Sequence, residues 1–286
     1  MGLDALQGAA EKQTEAYMKY DEGVSQGATQ QDAKNFNSAA SSASRHAKVS
    51  KRSFAAFDID GTLIRWQLYH AIADRLVKLG YVDAEAYTSM RSARMDWKNR
   101  KQGASFKAYE EELVRVYQEI LLSLKPQQMD KAIDSVFEEY KDQVYTYTRK
   151  IVAELKEQGY LLFAISGSQI EIIQKIAGHY DFDDAIGTTY IQEGEKYTGE
   201  SIHYLGRKDE AIKALMKKHG AALEGSIAVG DSTGDIAMLE MVERPIAFNP
   251  EEALFKVAQE KGWKVVVERK NMYYELEMRD GKYQLV

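Results

Sequence analysis

Four consecutive apolar residues, Phe54-Ala55-Ala56-Phe57, run straight into Asp58-Ile59-Asp60-Gly61-Thr62. A strand with no polar face must be covered on both sides, so this run reads as a central strand of a buried sheet. Its acids then fall at the carboxyl end of the strand, the edge at which open α/β sheets hold ligands. The pattern recurs. Tyr160–Ile165 passes into Ser166-Gly167-Ser168 and then into a helix face of Ile170, Ile173, Ile176 and Ala177. Ser226–Val229 passes into Gly230-Asp231-Ser232-Thr233-Gly234-Asp235.

Further strands are expected at Ala185–Gly187, Ile246–Phe248 and Val265–Val267. Hairpins are expected over Tyr190–Tyr197 and, at the C-terminal end, over Tyr273–Val286 around Asp280-Gly281. Helices are expected through Ala211, Ile212, Leu215 and Met216, and through Leu254, Val257 and Ala258. Alternation of this kind predicts an α/β fold whose mostly parallel sheet is covered on both faces.

Between the first two strands the pattern changes to helical spacing. Leu68, Ile72, Leu76 and Leu79 make one stripe, Tyr109, Leu113, Val116, Tyr117, Ile120 and Leu124 a second, and Met129, Ile133, Val136 and Tyr140 a third after Pro126. This block is longer than a single crossover helix and reads as a helical cap, residues 67–145, inserted into a core of residues 53–66 and 146–286. Residues 1–52 are rich in Gln, Ala and Ser and poor in large apolar groups, and read as a flexible or partly helical arm and linker.

With no cysteine, the chain has no disulfide, thiolate zinc site or cysteine nucleophile. The five histidines are scattered, which disfavours transition-metal chemistry and leaves hard oxygen ligands. A net charge of −6 without a basic stripe argues against nucleic acid as a partner. No apolar run has transmembrane length and no signal peptide is evident, so a cytoplasmic protein is expected. The composition sets no oligomeric state.

The strand ends carry complementary chemistry. Asp58 can attack phosphorus while Asp60 protonates a departing alkoxide and then deprotonates water. Gly61 permits a tight exit, and the Thr62 hydroxyl can bind phosphate. Ser166 and Gly167 supply hydroxyl and amide donors before a helix, an anion cradle or simply a helix cap. Lys208, next to Arg207, sits at a helix start, where a cation is unfavourable unless an anion needs it; Arg207 is the alternative. Asp231 and Asp235, with Asp58 and the main-chain carbonyl of Asp60, form an oxygen set suited to Mg²⁺.

In this ordered set, DIDGT at Asp58–Thr62, SGS at Ser166–Ser168, GRK at Gly206–Lys208 and GDSTGD at Gly230–Asp235, the chain resembles the haloacid-dehalogenase-like phosphatase superfamily. The likeness is to its IB-type, phosphoserine-phosphatase-like branch. That resemblance implies a Rossmann-like core with a C1-type helical cap and Mg²⁺-dependent hydrolysis of a small phosphorylated metabolite. It implies Asp58 as nucleophile, Asp60 as acid/base, Ser166 and Gly167 on the phosphate, Lys208 bridging phosphate and nucleophile, and Asp231 and Asp235 at the metal. Mutase or phosphotransferase relatives, and a non-catalytic helical scaffold, are the rival readings. The stretch Leu63–Gln67 lacks the acid that phosphoserine enzymes carry after the first motif. Arg115 is a counterpart for their cap arginine, and Arg94 and Trp97 offer a different pocket, although a tryptophan on a helix also serves packing.

Overall fold

Phe54–Phe57 lies in the interior of a sheet that has nine strands among the described residues, with every side chain of the run fully buried. The structure, a computed structural model, describes residues 51–101, 106–204 and 206–286. The expectation for an arm over residues 1–52 therefore falls almost wholly outside the described residues. In chain order the strands are β1 (Ser53–Phe57), β2 (Leu161–Gln169), β3 (Asp184–Glu193), β4 (Lys196–Ile202), β5 (Ala222–Gly230), β6 (Arg244–Phe248), β7 (Lys264–Arg269), β8 (Met272–Arg279) and β9 (Lys282–Leu285). Across the sheet they run β4-β3-β2-β1-β5-β6-β7-β8-β9. The stretch from β3 to β7 is parallel, and β4, β8 and β9 are antiparallel additions at the two edges.

The chain builds outward from β1 in one direction through β2 and β3, then returns to the other side of β1 at β5. The crevice above β1 and β5 is thus a topological switch point, where crossover connections diverge and leave room for a ligand. In the register, Phe57 pairs with Val229, and the Asp58 amide donates to the Val229 carbonyl at 2.9 Å. Asp58 and Asp231 consequently emerge from neighbouring parallel strands on the same edge.

Two local expectations change. Ser166-Gly167-Ser168 does not end its strand. β2 continues to Gln169, with an irregular register between Ile165 and Gln169, and the next helix begins at Ile170. The strand expected at Ala185–Gly187 and the first arm of the following hairpin are one element, β3. The C-terminal hairpin forms as expected.

A cap-like helical insertion separates β1 from β2. It comprises α1 (Leu68–Lys78), a 3-10 turn (Glu85–Tyr87), α2 (Thr88–Lys98), α3 (Phe106–Leu121) and α4 (Pro126–Tyr140). Pro126 starts α4 rather than breaking a longer helix, since a first-turn residue needs no amide donor. The chain leaves and returns side by side, the Arg65 amide donating to Gln143 and the Tyr145 amide to Leu63. The insertion shares one apolar core with the sheet: Leu68, Ile72 and Tyr117 belong to the same cluster as Ala164, Ile172 and Ile173. Arg52–Val286 accordingly packs as one compact unit. The remaining helices are α5 (Thr146–Glu157), α6 (Ile170–His179), α7 (Lys208–His219), α8 (Ile236–Met241) and α9 (Glu252–Lys261). Among the described residues no helix is long and apolar enough to cross a membrane.

One long-range tie secures the return crossing. The buried Glu268 carboxylate, at the end of β7, accepts the amides of Thr146 and Tyr147 at the start of α5, at 3.0 and 2.8 Å. It also pairs with Arg65 at 2.5 Å. It caps a helix and neutralises a cation at once, so Glu268→Ala is expected to cost about 2–4 kcal/mol. Urea unfolding measures this, and a loss under about 0.5 kcal/mol, the range of ordinary surface changes, would contradict it.

His70, buried on α1, has the Tyr87 hydroxyl 2.7 Å from Nε2. Burial lowers its pKa to about 4. The nearby Arg94, Lys98 and Arg91 add to the effect, and Asp74 opposes it. The unfolded chain takes up this proton near pH 6.5 and the folded chain only near 4. The histidine therefore costs nothing above 6.5 and destabilises the fold progressively as pH falls towards 4. Thermal melts between pH 7.5 and 5 are expected to fall less steeply for His70→Gln than for the parent. Equal slopes would exclude His70 as the source.

Candidate active site

Asp58 follows β1 directly, and the residue is only 5% exposed. Lys208, the first residue of α7, reaches it with Nζ 2.6 Å from Oδ1. The same Nζ lies 2.6 Å from Asp235 Oδ1. Lys208 is 6% exposed and Asp235 fully buried, so the ammonium and two carboxylates form a desolvated bridge rather than a surface pair. Burial alone would pull the lysine down, but Asp235 and Asp58 outweigh it and hold the ammonium above its usual value. Of the two basic neighbours it is Lys208 that meets Asp58, while Arg207 turns to Glu210 and the His203 carbonyl.

Asp231 closes the group. One carboxylate oxygen each of Asp58, Asp231 and Asp235 lie within 4.8 Å of one another. Burial pushes Asp58 up to about 8 against the pull of Lys208, with Asp235 and Asp60 adding to the rise. Burial and the facing Asp58 and Asp235 raise Asp231 well above the carboxylate range. Three acids crowded around one ammonium leave negative charge that calls for a cation, and a hard oxygen donor set fits Mg²⁺. The three are not equivalent. Asp235 spends Oδ1 on Lys208 and Oδ2 on the amides of Asp231 and Ser232, both at 3.0 Å. It shapes the loop, whereas Asp58 and Asp231 each have one oxygen engaged, by Lys208 and by Thr62.

Two glycines make this closeness possible. Gly61 has φ +81, and a Cβ there would stand 2.3 Å from Asp231 Oδ2. A Cβ on Gly230 would stand 2.5 Å from the Asp235 side chain. Any side chain at either position displaces a carboxylate of the cluster.

Asp60 sits on the other side of Asp58. Its Oδ1 accepts the Leu68 amide at 2.6 Å and its Oδ2 accepts the Ser166 hydroxyl at 2.7 Å, so it ties α1 to β2. Burial raises it, opposed by these two hydrogen bonds. The residues expected to hold phosphate line the same edge and are linked to Asp60. The Ser166 hydroxyl is turned to Asp60, and the Ser168 amide donates to Ser166 Oγ at 2.9 Å. Gly167 and Ser168 face the cavity from extended strand, not from a helix start. Thr62 is fully buried and its hydroxyl donates to Asp231 Oδ1 at 3.2 Å.

A cavity of about 620 Å³ opens over Asp58, Asp60, Lys208 and Asp231, roofed by Gln67 and Tyr69 of the α1 region and Tyr109, Glu110 and Gln118 of α3. A larger cavity, about 780 Å³, lies elsewhere between α5 and the C-terminal strands, and none of the motif residues line it. Of the three cap residues singled out by sequence, Arg115 lines the main cavity, but its guanidinium is committed to Glu112 and Glu119 on its own helix. Arg94 and Trp97 line a separate, adjoining cavity. The roof residues escaped sequence reading because Tyr109 and Leu113 fall on the stripe that also builds the core. Glu110, the polar neighbour beside that stripe, marks the side that faces the acids, and burial raises its pKa above the usual carboxylate value.

A family model of haloacid dehalogenase-like hydrolases matches residues 55–240. A probable phosphatase of Mycobacterium tuberculosis (strain ATCC 25618 / H37Rv) is 34% identical over 125 residues, 43% of this chain and 44% of its own length. This chain thus spans under half of that relative. Histidinol-phosphatase of Neisseria meningitidis serogroup C (strain 8013) is 28% identical over 75% of this chain and 98% of its own. Among solved structures, a protein with unknown function from Bordetella pertussis Tohama I aligns over 76% of this chain and 98% of its own, with TM-score 0.62 and 22% identity. A phospho-aspartyl intermediate analogue of phosphoserine phosphatase aligns over 77% and 95%, with TM-score 0.54 and 22% identity. At such identities the structural likeness is one of fold.

Proposed function

Because the chain belongs to the haloacid dehalogenase-like hydrolases, we propose that it hydrolyses a small phosphomonoester through a phosphoryl intermediate on Asp58. The observation that carries this reading is the convergence of Asp58, Asp231 and Asp235 within 4.8 Å, bridged by Lys208. Such a cluster at the mouth of a cavity supports a reading in which one of these acids is the nucleophile, the ammonium its counter-cation and the remaining oxygens metal ligands.

In this reading the Asp58 carboxylate attacks phosphorus, the P–O bond to the alcohol breaks, and Asp60 gives its proton to the departing oxygen. Asp60 then takes a proton from water as that water displaces Asp58, which restores both acids. Lys208 holds the nucleophile in place and offsets charge on the phosphoryl oxygens. Asp58, Asp231 and the Asp60 carbonyl would hold Mg²⁺, with Asp235 fixing their loop; bound there, the ion neutralises the transferring group. The Gly167 amide and the Ser166 hydroxyl, now on Asp60, would supply donors to the phosphate.

Incubating the protein with Mg²⁺ and a panel of phosphomonoesters is expected to release phosphate and alcohol in equal amounts, and chelation by EDTA to abolish release. Equal amounts identify water as the acceptor, whereas alcohol without phosphate would point to phosphotransfer. Folded protein that turns over no ester in the presence of Mg²⁺ would overturn the reading.

A further inference from the structure

The smaller cavity, about 340 Å³, shares Gln67, Asp231 and Ser232 with the main one, so the two adjoin beside the carboxylate cluster. Their partition includes a stacked pair. Trp97 faces the smaller cavity and Tyr109 the larger, with ring centres 5.7 Å apart and planes 4° from parallel. Trp66, itself stacked on Tyr140, forms another wall of the smaller cavity. Over its ring stand two cations of α2, the Arg94 guanidinium at 5.5 Å and the Lys98 ammonium at 5.9 Å.

Neither cation has an ion pair or hydrogen bond among the described residues, in contrast to Arg65, Arg75 and Arg115 of the same region. The third cation in this cavity, Arg65, is drawn away to Glu268. The wall also holds two acids, and both are engaged. Asp231 accepts the Thr62 hydroxyl and belongs to the carboxylate cluster, and Glu251 accepts the Thr233 amide at 2.7 Å. Lys98 is an exposed residue of α2, and partial burial with the charge of Arg94 pulls its ammonium below the usual value. Two adjacent cations that only donate, set against a flat aromatic wall, suit an oxyanion.

We infer that the smaller cavity is an anion subsite in which Arg94 and Lys98 hold a second acidic group of the phosphomonoester, a carboxylate or a second phosphate. The inference rests on the phosphatase reading for the substrate's other end. It assigns Arg94 and Lys98 to selectivity and leaves the phosphoryl chemistry to the strand-end residues. The substrate would pass by Gln67, with its phosphoryl group over Asp58 and its second anion under α2.

The test uses the Mg²⁺-loaded full chain and three series of matched length: phosphorylated hydroxy acids of two to five carbons, their methyl esters, and the bisphosphates of the corresponding diols. At one length or more, a carboxylate or bisphosphate substrate is expected to exceed its methyl ester in kcat/KM by about tenfold. Which series wins identifies the anion. Arg94→Gln and Lys98→Gln are each expected to bring that ratio towards one. Ratios near one at every length, or ratios unchanged in both variants, would overturn the subsite. If the parent hydrolyses none of these esters, the phosphatase reading is decided by the wider panel above, and tryptophan fluorescence titrated with glutarate decides the subsite separately. Saturable change in the parent that is lost in Arg94→Gln supports it, and no change refutes it.

Discussion

Asp58→Asn is expected to lower phosphate release by about 10,000-fold or more while the protein remains folded. The substitution keeps the side chain's size and still offers an oxygen to Lys208, which now stands 2.6 Å from Asp58 Oδ1. It removes the anionic nucleophile, and an amide oxygen does not attack phosphorus at a useful rate. Losses of this order follow when the covalent nucleophile of an enzyme is deleted, because the remaining groups can no longer act as a unit. Metal affinity is also expected to fall, since one of three clustered carboxylates is gone. Initial rates at saturating Mg²⁺, with circular dichroism as the fold control, measure the effect. A residual rate within tenfold of the parent would remove Asp58 from the chemistry.

Lys208→Met is expected to damage both stability and rate. The methionine fills a similar volume but leaves the Asp58 and Asp235 carboxylates, almost wholly desolvated, without the ammonium now 2.6 Å from each. Removing one partner of a buried ionic group costs about 3–5 kcal/mol, because the remaining charges stay buried. The rate is expected to fall about 1,000-fold in kcat/KM through lost electrostatic support of the transferring group. Lys208→Arg is not expected to rescue either quantity. A planar fork cannot place a single nitrogen between two oxygens in the space that a compact ammonium occupies. Urea unfolding and steady-state kinetics of the two variants separate the effects, and parent-like behaviour of Lys208→Arg would show that the bridge needs only a positive charge.

The acids of the site were legible because each follows a short apolar run, and such runs become parallel strands whose ends share an edge. Asp58 and Asp231 needed no more than the order of their motifs. Lys208 was legible as a cation at the wrong end of a helix, and the structure supplies the two carboxylates that compensate it. What the motifs left open depends on packing between distant segments. Nothing near Ser166 in sequence says that its hydroxyl meets Asp60, 106 positions away. Arg65 lines the smaller cavity, but nothing near it in sequence says that Glu268, 203 positions away, takes up its guanidinium. Arg115 looked available because its neighbours Glu112 and Glu119 are near in sequence on both sides, and helical geometry turns both onto it. The separation of Arg94 and Trp97 from the main cavity follows from the stack of Trp97 on Tyr109, a contact between two helices that periodicity alone does not position.

Quenching the Mg²⁺-loaded protein in acid during turnover, followed by peptide mass analysis, addresses the nucleophile directly. A phosphoryl group is expected on the peptide that holds Asp58, sensitive to hydroxylamine as an acyl phosphate is, and absent from Asp58→Asn. Turnover with that peptide unmodified, or with the phosphoryl group on another residue, would contradict the mechanism.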